Sequence, residues 1–195
     1  MEERQCTTEG VTRKVPAPFL VIATQNPVGS AGTWGLPETQ TDRFLISLSM
    51  GYPDFESELK LVKAEDIAGK TETLPAVLNR ESMLWMQDEV RRVSIGDRTA
   101  RYLLELVTAT REHPKLSRGA GPRASIALAR MAKASAWFSG RDYATPEDVR
   151  EQFGYVVGHR IGTDPAARAE HAEKQHIIDE ILDSIKVPFV GEESR

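Results

Sequence analysis

Cysteine occurs once in the 195 residues, at Cys6, so the chain can close no internal disulfide and build no thiolate zinc cluster. No apolar run approaches the ~18 residues that span a bilayer. The first residues, Met1-Glu2-Glu3-Arg4-Gln5, are polar and lack the apolar stretch of a secretory signal. Basic residues are not in excess: 25 Lys and Arg stand against 29 Asp and Glu, a net charge of −4. That argues against a surface built mainly for nucleic acid, where a basic stripe is expected. The histidines His113, His159, His171 and His176 are dispersed, with no metal-ligand spacing, and no Gly-x-Ser-x-Gly elbow is present. Hydrophobic residues make up 40% and charged residues 28%, enough for a buried core in one domain or two small ones. A reducing, cytoplasmic setting is expected.

The first fifty residues read as α/β material. Cys6–Thr8 and Val11–Arg13 flank Glu9-Gly10, a hairpin pattern. Phe19–Ala23 is a short apolar run with β-branched members, which reads as a strand buried on both faces. Asn26 to Thr41 is a loop rich in glycine and proline, and Phe44–Leu48 reads as a second strand. Beyond residue 54 the period becomes helical. Asp54 opens one helix, and the stretch 69–79 reads as a linker. Helices are expected over 81–92, 97–112 and 123–139, with Pro122 opening the last of these and Gly140 closing it. Thr145-Pro146-Glu147-Asp148 is a further start signal. A final helix after Pro165 runs to about Ile185, with Ile177, Ile178, Ile181 and Leu182 on one stripe. Trp85, Met131, Trp137 and Phe138, at helical spacing, are expected in the core.

One stretch imitates a phosphate loop. Ala64–Thr71 ends in Gly69-Lys70-Thr71 but has Ala in place of the first glycine. A charged helix precedes it where a buried strand is needed, and Glu65 and Asp66 would repel phosphate inside the loop. It reads as a helix end running into a linker.

Several separate strings carry a resemblance. Phe19–Pro27 is followed by Gly32-Thr33-Trp34-Gly35-Leu36-Pro37-Glu38-Thr39-Gln40-Thr41-Asp42-Arg43-Phe44. Thr110–Pro114, Gly119–Ser125, Gly140–Val149, His159-Arg160 and Val187-Pro188 come later, in order. Together they resemble the MoxR family of AAA+ ATPases over nearly the whole chain. The resemblance implies a mainly α chain with a short α/β segment: the end of an AAA+ P-loop core at 1–75 and a helical lid at 76–195. It also implies that the family's phosphate loop and Mg²⁺-binding acidic strand lie upstream of these residues.

The resemblance assigns three site residues. Asn26 matches sensor 1, at the end of a buried strand, where an amide can both meet a γ-phosphate oxygen and orient water. Arg43 matches the arginine finger, whose planar donors meet the charge that phosphoryl transfer spreads over oxygens. Arg123 matches sensor 2, in a first helical turn favourable to anions. Read from the residues alone, Asn26-Pro27 is also a turn signal. Asp42 and Arg43 could equally form a surface pair, and Arg123 an exposed helix start. Glu38 and Asp42 could position Arg43 or face an adjacent subunit, and Arg118 is read as surface charge.

The family implies ATP and Mg²⁺, a homo-oligomeric hexameric ring, and a protein partner with a von Willebrand factor A domain. No membrane insertion and no nucleic acid are expected, from the lack of a long apolar run and from the net charge of −4. Such an enzyme would couple ATP hydrolysis to remodelling or maturing protein partners. This chain alone is expected to be inactive and to bind nucleotide weakly. Two other readings stand beside it: a non-catalytic helical interaction module, and a nucleic-acid-binding bundle that the negative charge disfavours.

Overall fold

The computed structural model of the chain describes residues 4–25, 36–63, 75–169 and 173–189. The hairpin forms as expected. Strand β1 (Gln5–Thr8) pairs antiparallel with β2 (Val11–Lys14), Gln5 opposite Lys14 and Thr8 opposite Val11. Glu9 and Gly10 both take positive φ, at 53° and 78°, the turn whose twist matches the strands it joins.

Neither strand expected after the hairpin is present. Phe19–Ala23 is irregular, with Leu20 79% and Ile22 81% exposed. A strand buried on both faces needs hydrogen-bonded neighbours on its edges, and no described residue provides one here. Phe44–Leu48 is also irregular, because its backbone groups are spent on a helix bundle instead. The Ser47 N–H donates to the Tyr155 carbonyl at 3.0 Å, and Ile46 packs against the core.

Local signals decide the helices. A short α1 (Glu38–Thr41) is followed by α2 (Phe55–Val62), where the Asp54 carboxylate accepts from the Ser57 N–H at 2.8 Å. In α3 (Arg80–Arg92) the Asn79 side chain caps the Ser82 N–H, also at 2.8 Å. After β3 (Ser94–Ile95) comes α4 (Asp97–Glu112), which buries Tyr102, Leu103, Leu106 and Val107 on one face. Strand β4 (Leu116–Arg118) leads to α5 (Pro122–Phe138). Gly140 takes φ 73°, so that the Arg141 N–H reaches the Ala136 carbonyl and the Gly140 N–H reaches Trp137. This closes α5 with a Schellman motif.

Strand β5 (Tyr143–Ala144) lies parallel to β3 and precedes α6 (Pro146–Val157). At the start of α6, Thr145 and Asp148 form a reciprocal capping box. Strand β6 (Gly162–Thr163) pairs antiparallel with β4. The end of the chain holds two described helices rather than one: α7 (Pro165–Ala169) and α8 (Lys174–Ser184), the second starting afresh at Glu173.

The core lies within residues 93–187, apart from the contribution of Ile46. Helix α5 presents Ala124, Ala127, Ala132 and Ala136 to it, and these small side chains let α6 pack closely. Phe153, Val156, Leu128, Ile177 and Ile181 fill the centre. Two of the aromatic residues expected there are elsewhere. Trp85 and Phe138 are 57% and 79% exposed, and each meets the ring of the half-buried Trp137 edge to face. They extend an aromatic strip out of the core, and helical spacing alone could not tell that from burial.

Candidate functional site: the Arg43 segment against the lid

The segment after α1 is pinned to the bundle by a buried arginine. Two consecutive turns at the end of α6 and the β4–β6 pairing fix Arg160: its own N–H donates to the Val157 carbonyl at 2.8 Å, and the next residue, Ile161, is buried. Arg160 is 5% exposed. From there it donates to the main-chain carbonyls of Asp42 (3.0 Å), Phe44 (2.5 Å), Leu45 (3.2 Å) and Val156 (2.5 Å). Its Nε lies 3.3 Å from Asp42 Oδ1, close enough for ion pairing but without a hydrogen bond at that nitrogen. Burial lowers the Arg160 pKa and Asp42 opposes that fall. The guanidinium stays charged, since arginine starts far above neutrality.

His159 adds a second hold on the same carbonyl. Its Nε2 sits 3.1 Å from the Phe44 oxygen, so Nε2 carries the proton and donates. Nδ1 is buried without a partner. Burial, and then the neighbouring charge of Arg160, hold the His159 pKa below its usual value, and the ring is neutral at pH 7.

Two further arginines of the bundle meet this segment. Arg123, in the first turn of α5, places Nη1 3.5 Å from Asp42 Oδ2. Arg118, read from sequence as surface charge, pairs with Glu38 and donates from Nε to the Arg160 carbonyl at 3.1 Å. The acids Glu38 and Asp42 therefore face bundle arginines. Arg43 itself is exposed. It lines an open cleft of about 470 Å³ with Ala23, Leu36, Thr39, Gln40 and Phe44.

The three residues matched to the ATPase site are thus placed as follows. Arg123 meets the Asp42 carboxylate from the bundle, and Arg43, next to Asp42 in the chain, is exposed at the open cleft. Asn26 lies outside the described residues, as do Trp34 and Lys70 of the phosphate-loop-like stretch. Sequence reasoning missed Arg160. The pair His159-Arg160 stood in the resembling strings, but nothing local revealed a partner more than a hundred residues earlier.

The exposed guanidinium groups of Arg43 and Arg123 suit contact with phosphate oxygens. A Mg²⁺ ion is another matter: among the described residues no group of His, Cys, Asp and Glu could hold a metal. Nor is any helix among them long and apolar enough to cross a membrane.

Comparison with known proteins agrees with this architecture. Residues 1–46 match the profile of the ATPase family associated with various cellular activities (AAA), and residues 108–181 match the AAA lid domain. YeaC of Bacillus subtilis, an uncharacterized protein, is 40% identical over 96% of this chain and 59% of its own length. Chaperone MoxR1 of Mycobacterium tuberculosis is 32% identical over 98% of this chain and 52% of its own. A crystal structure from Cytophaga hutchinsonii, provisionally described as an ATPase, superposes with a TM-score of 0.85 at 34% identity. It covers 96% of this chain, which spans 60% of it. The chain thus spans about half to three-fifths of these relatives.

The fold and the family matches together define a segment of an AAA+ ATPase in which the end of the core is followed by the helical lid. The chain belongs to the MoxR family of these ATPases and corresponds to its C-terminal portion.

Proposed function

We propose that this chain serves a MoxR-type ATPase that couples ATP hydrolysis to remodelling or maturation of protein partners. Residues 1–75 belong with the ATPase core and residues 76–195 form the lid. In this reading Arg43 reaches the nucleotide of a neighbouring subunit as an arginine finger. Arg123 contacts the γ-phosphate from the lid side, and Asn26 orients the attacking water. A finger working in trans requires a ring, for which a cytoplasmic homo-hexamer is the expected form. The protein acted on would carry a von Willebrand factor A domain. A relative named as a chaperone supports the remodelling role.

The observation that carries the proposal is the setting of Arg43. It is solvent-exposed beside an open cleft, while the residues on either side of it, Asp42 and Phe44, are fixed by the buried Arg160. An arginine held at its backbone and exposed at its guanidinium can meet a charge supplied from outside its own chain.

The 195 residues contain no Gly-x-x-x-x-Gly-Lys-Ser/Thr run to cradle phosphates. The purified chain should therefore show no Mg²⁺-dependent ATP turnover, and only weak binding of a fluorescent ATP analogue. Sustained turnover abolished by Lys70→Ala would overturn this and restore Gly69-Lys70-Thr71 as a phosphate site.

A further inference from the structure

We propose that Arg160 is a positioning residue that makes the lid and the Arg43 segment move as one body, with Asp42 as the shared acceptor through which Arg123 senses that segment. The inference rests on the reading of Arg43 as a finger for its purpose, but not for its geometry.

Four observations carry it. Arg160 belongs to the lid by burial and by its bond to Val156 one turn back, yet its other acceptors are the carbonyls of residues 42, 44 and 45. Among the described residues those carbonyls have no strand partner, so the guanidinium satisfies main-chain acceptors left over where the short helix ends in a turn. The hold is reinforced by His159 on the Phe44 carbonyl and by the Ser47–Tyr155 backbone bond. Finally, Asp42 is shared: Arg160 Nε faces one carboxylate oxygen at 3.3 Å and Arg123 Nη1 faces the other at 3.5 Å.

The consequence is a mechanical coupling. A lid that rotates carries residues 42–45 with it, and so moves Arg43. The Arg123 contact is the longer and more exposed of the two. An anion that draws Arg123 away leaves Asp42 to Arg160 alone, without releasing the clamp. The state of one lid is thereby transmitted to the side chain that faces the next subunit.

The test is a distance measurement on the 195-residue chain itself. With Cys6→Ser as background, spin labels at Gln40→Cys and Arg130→Cys report the segment against α5. A second pair at Arg130→Cys and Glu151→Cys reports the lid internally. All three labelled positions are exposed. The expected result is one narrow 40–130 distribution in the parent chain. In Arg160→Met, that distribution is lost to a broad one while the 130–151 distribution stays narrow, well below the melting temperature. Arg160→Lys, which keeps charge but has a single nitrogen for several carbonyls, should broaden it partially. A residue that merely stabilised the lid would lower the melting temperature and leave the 40–130 distance unchanged, and that outcome would overturn the proposal. If Arg160→Met does not fold, Asp42→Asn removes both ion pairs without touching the core; it should loosen the pair less than Arg160→Lys does, and an equal or greater loosening would place the hold in the carboxylate and contradict the carbonyl clamp. Turnover measurements on Arg43 decide the finger reading separately, so either conclusion can fail without the other.

Discussion

Arg160 and Asp42 are 118 residues apart in the chain, yet the guanidinium donates to the Asp42 carbonyl at 3.0 Å and stands 3.3 Å from its carboxylate. This contact makes one structural unit of the lid and a segment that adds little to the core. Arg160→Met should lower the unfolding free energy by about 2–3 kcal/mol. That lies below the range for a fully buried pair, because Asp42 keeps some contact with water. Urea denaturation followed by tryptophan fluorescence measures it. A loss under about 0.5 kcal/mol, the level of an ordinary surface change, would mean the contact is incidental.

A second buried pair holds α6. Asp148, almost fully buried, takes two 2.7 Å bonds from Arg141 and a 2.8 Å bond from the Thr145 N–H. Burial by itself raises the Asp148 pKa, but the hydrogen bonds from Arg141, Thr145 and Ser135 outweigh it, and the net value falls below the usual carboxylate range. A depressed carboxyl contributes stability that is present above its unfolded pKa, near 4, and is lost as pH falls through the folded value. Asp148→Ala should cost about 3 kcal/mol at pH 7. Its deficit relative to the parent should shrink in acid below pH ~4, as Asp148 takes up a proton in both states of the parent. Thr145→Ala should cost only about 1 kcal/mol, the value of a cap.

His159 gives the clamp a pH dependence of the same sign at a higher pH. Its pKa is depressed, first by burial and then by Arg160. The unfolded chain therefore binds the proton more readily, and stability falls as pH drops below about 6.5. In His159→Gln this part of the slope should disappear. Comparing the two chains between pH 5 and 7.5 in thermal melts cancels the other titrating groups. Identical slopes would show that the ring is not held neutral.

Backbone approach can be tested at Gly119. A Cβ built there would lie 2.5 Å from the Arg111 Cα and 2.7 Å from the Thr110 carbonyl oxygen, both main-chain atoms with little room to yield. Gly119→Ala should destabilise by about 1–3 kcal/mol through overpacking. Gly96 is the control. It caps α4 with nothing within 4 Å of its Cβ position. Gly96→Ser should be neutral or stabilising by a few tenths of a kcal/mol, since serine can cap where glycine cannot. Equal melting temperatures for the two variants would contradict the packing described at Gly119.

What could be read from the sequence was what is decided locally. The Asp54 and Thr145 caps, Pro122 and Gly140 each act within a turn or two, and each appears where its residues predict. Phe19–Ala23 and Phe44–Leu48 carry strand patterns without forming strands, because a strand is defined by its neighbours. An apolar run cannot show whether a ladder partner is there. The aromatic strip differs for a related reason: Trp85, Trp137 and Phe138 have core spacing, but of the three Trp137 packs against the core while Trp85 and Phe138 meet its ring from the exposed side. Of the site, Arg43 and Arg123 were found by resemblance and Arg160 was not assigned a role. A buried arginine that serves distant main-chain carbonyls leaves no periodicity or motif of its own, and the partners of Arg118, Glu38 and the Arg160 carbonyl, are likewise beyond any local pattern.

The most direct test of the function proposed here joins these 195 residues to the part of the Bacillus relative that they do not cover and measures ATP turnover in rings of parent, Arg43→Ala and mixed subunits. Arg43→Ala alone should cut turnover by roughly 10³–10⁵-fold with nucleotide binding retained, the range for a finger acting in trans. In mixed rings, subunits that have lost their own phosphate loop but keep Arg43 should restore turnover to Arg43→Ala neighbours. Unchanged turnover in Arg43→Ala rings, or no restoration on mixing, would contradict the claim that Arg43 completes the site of an adjacent subunit.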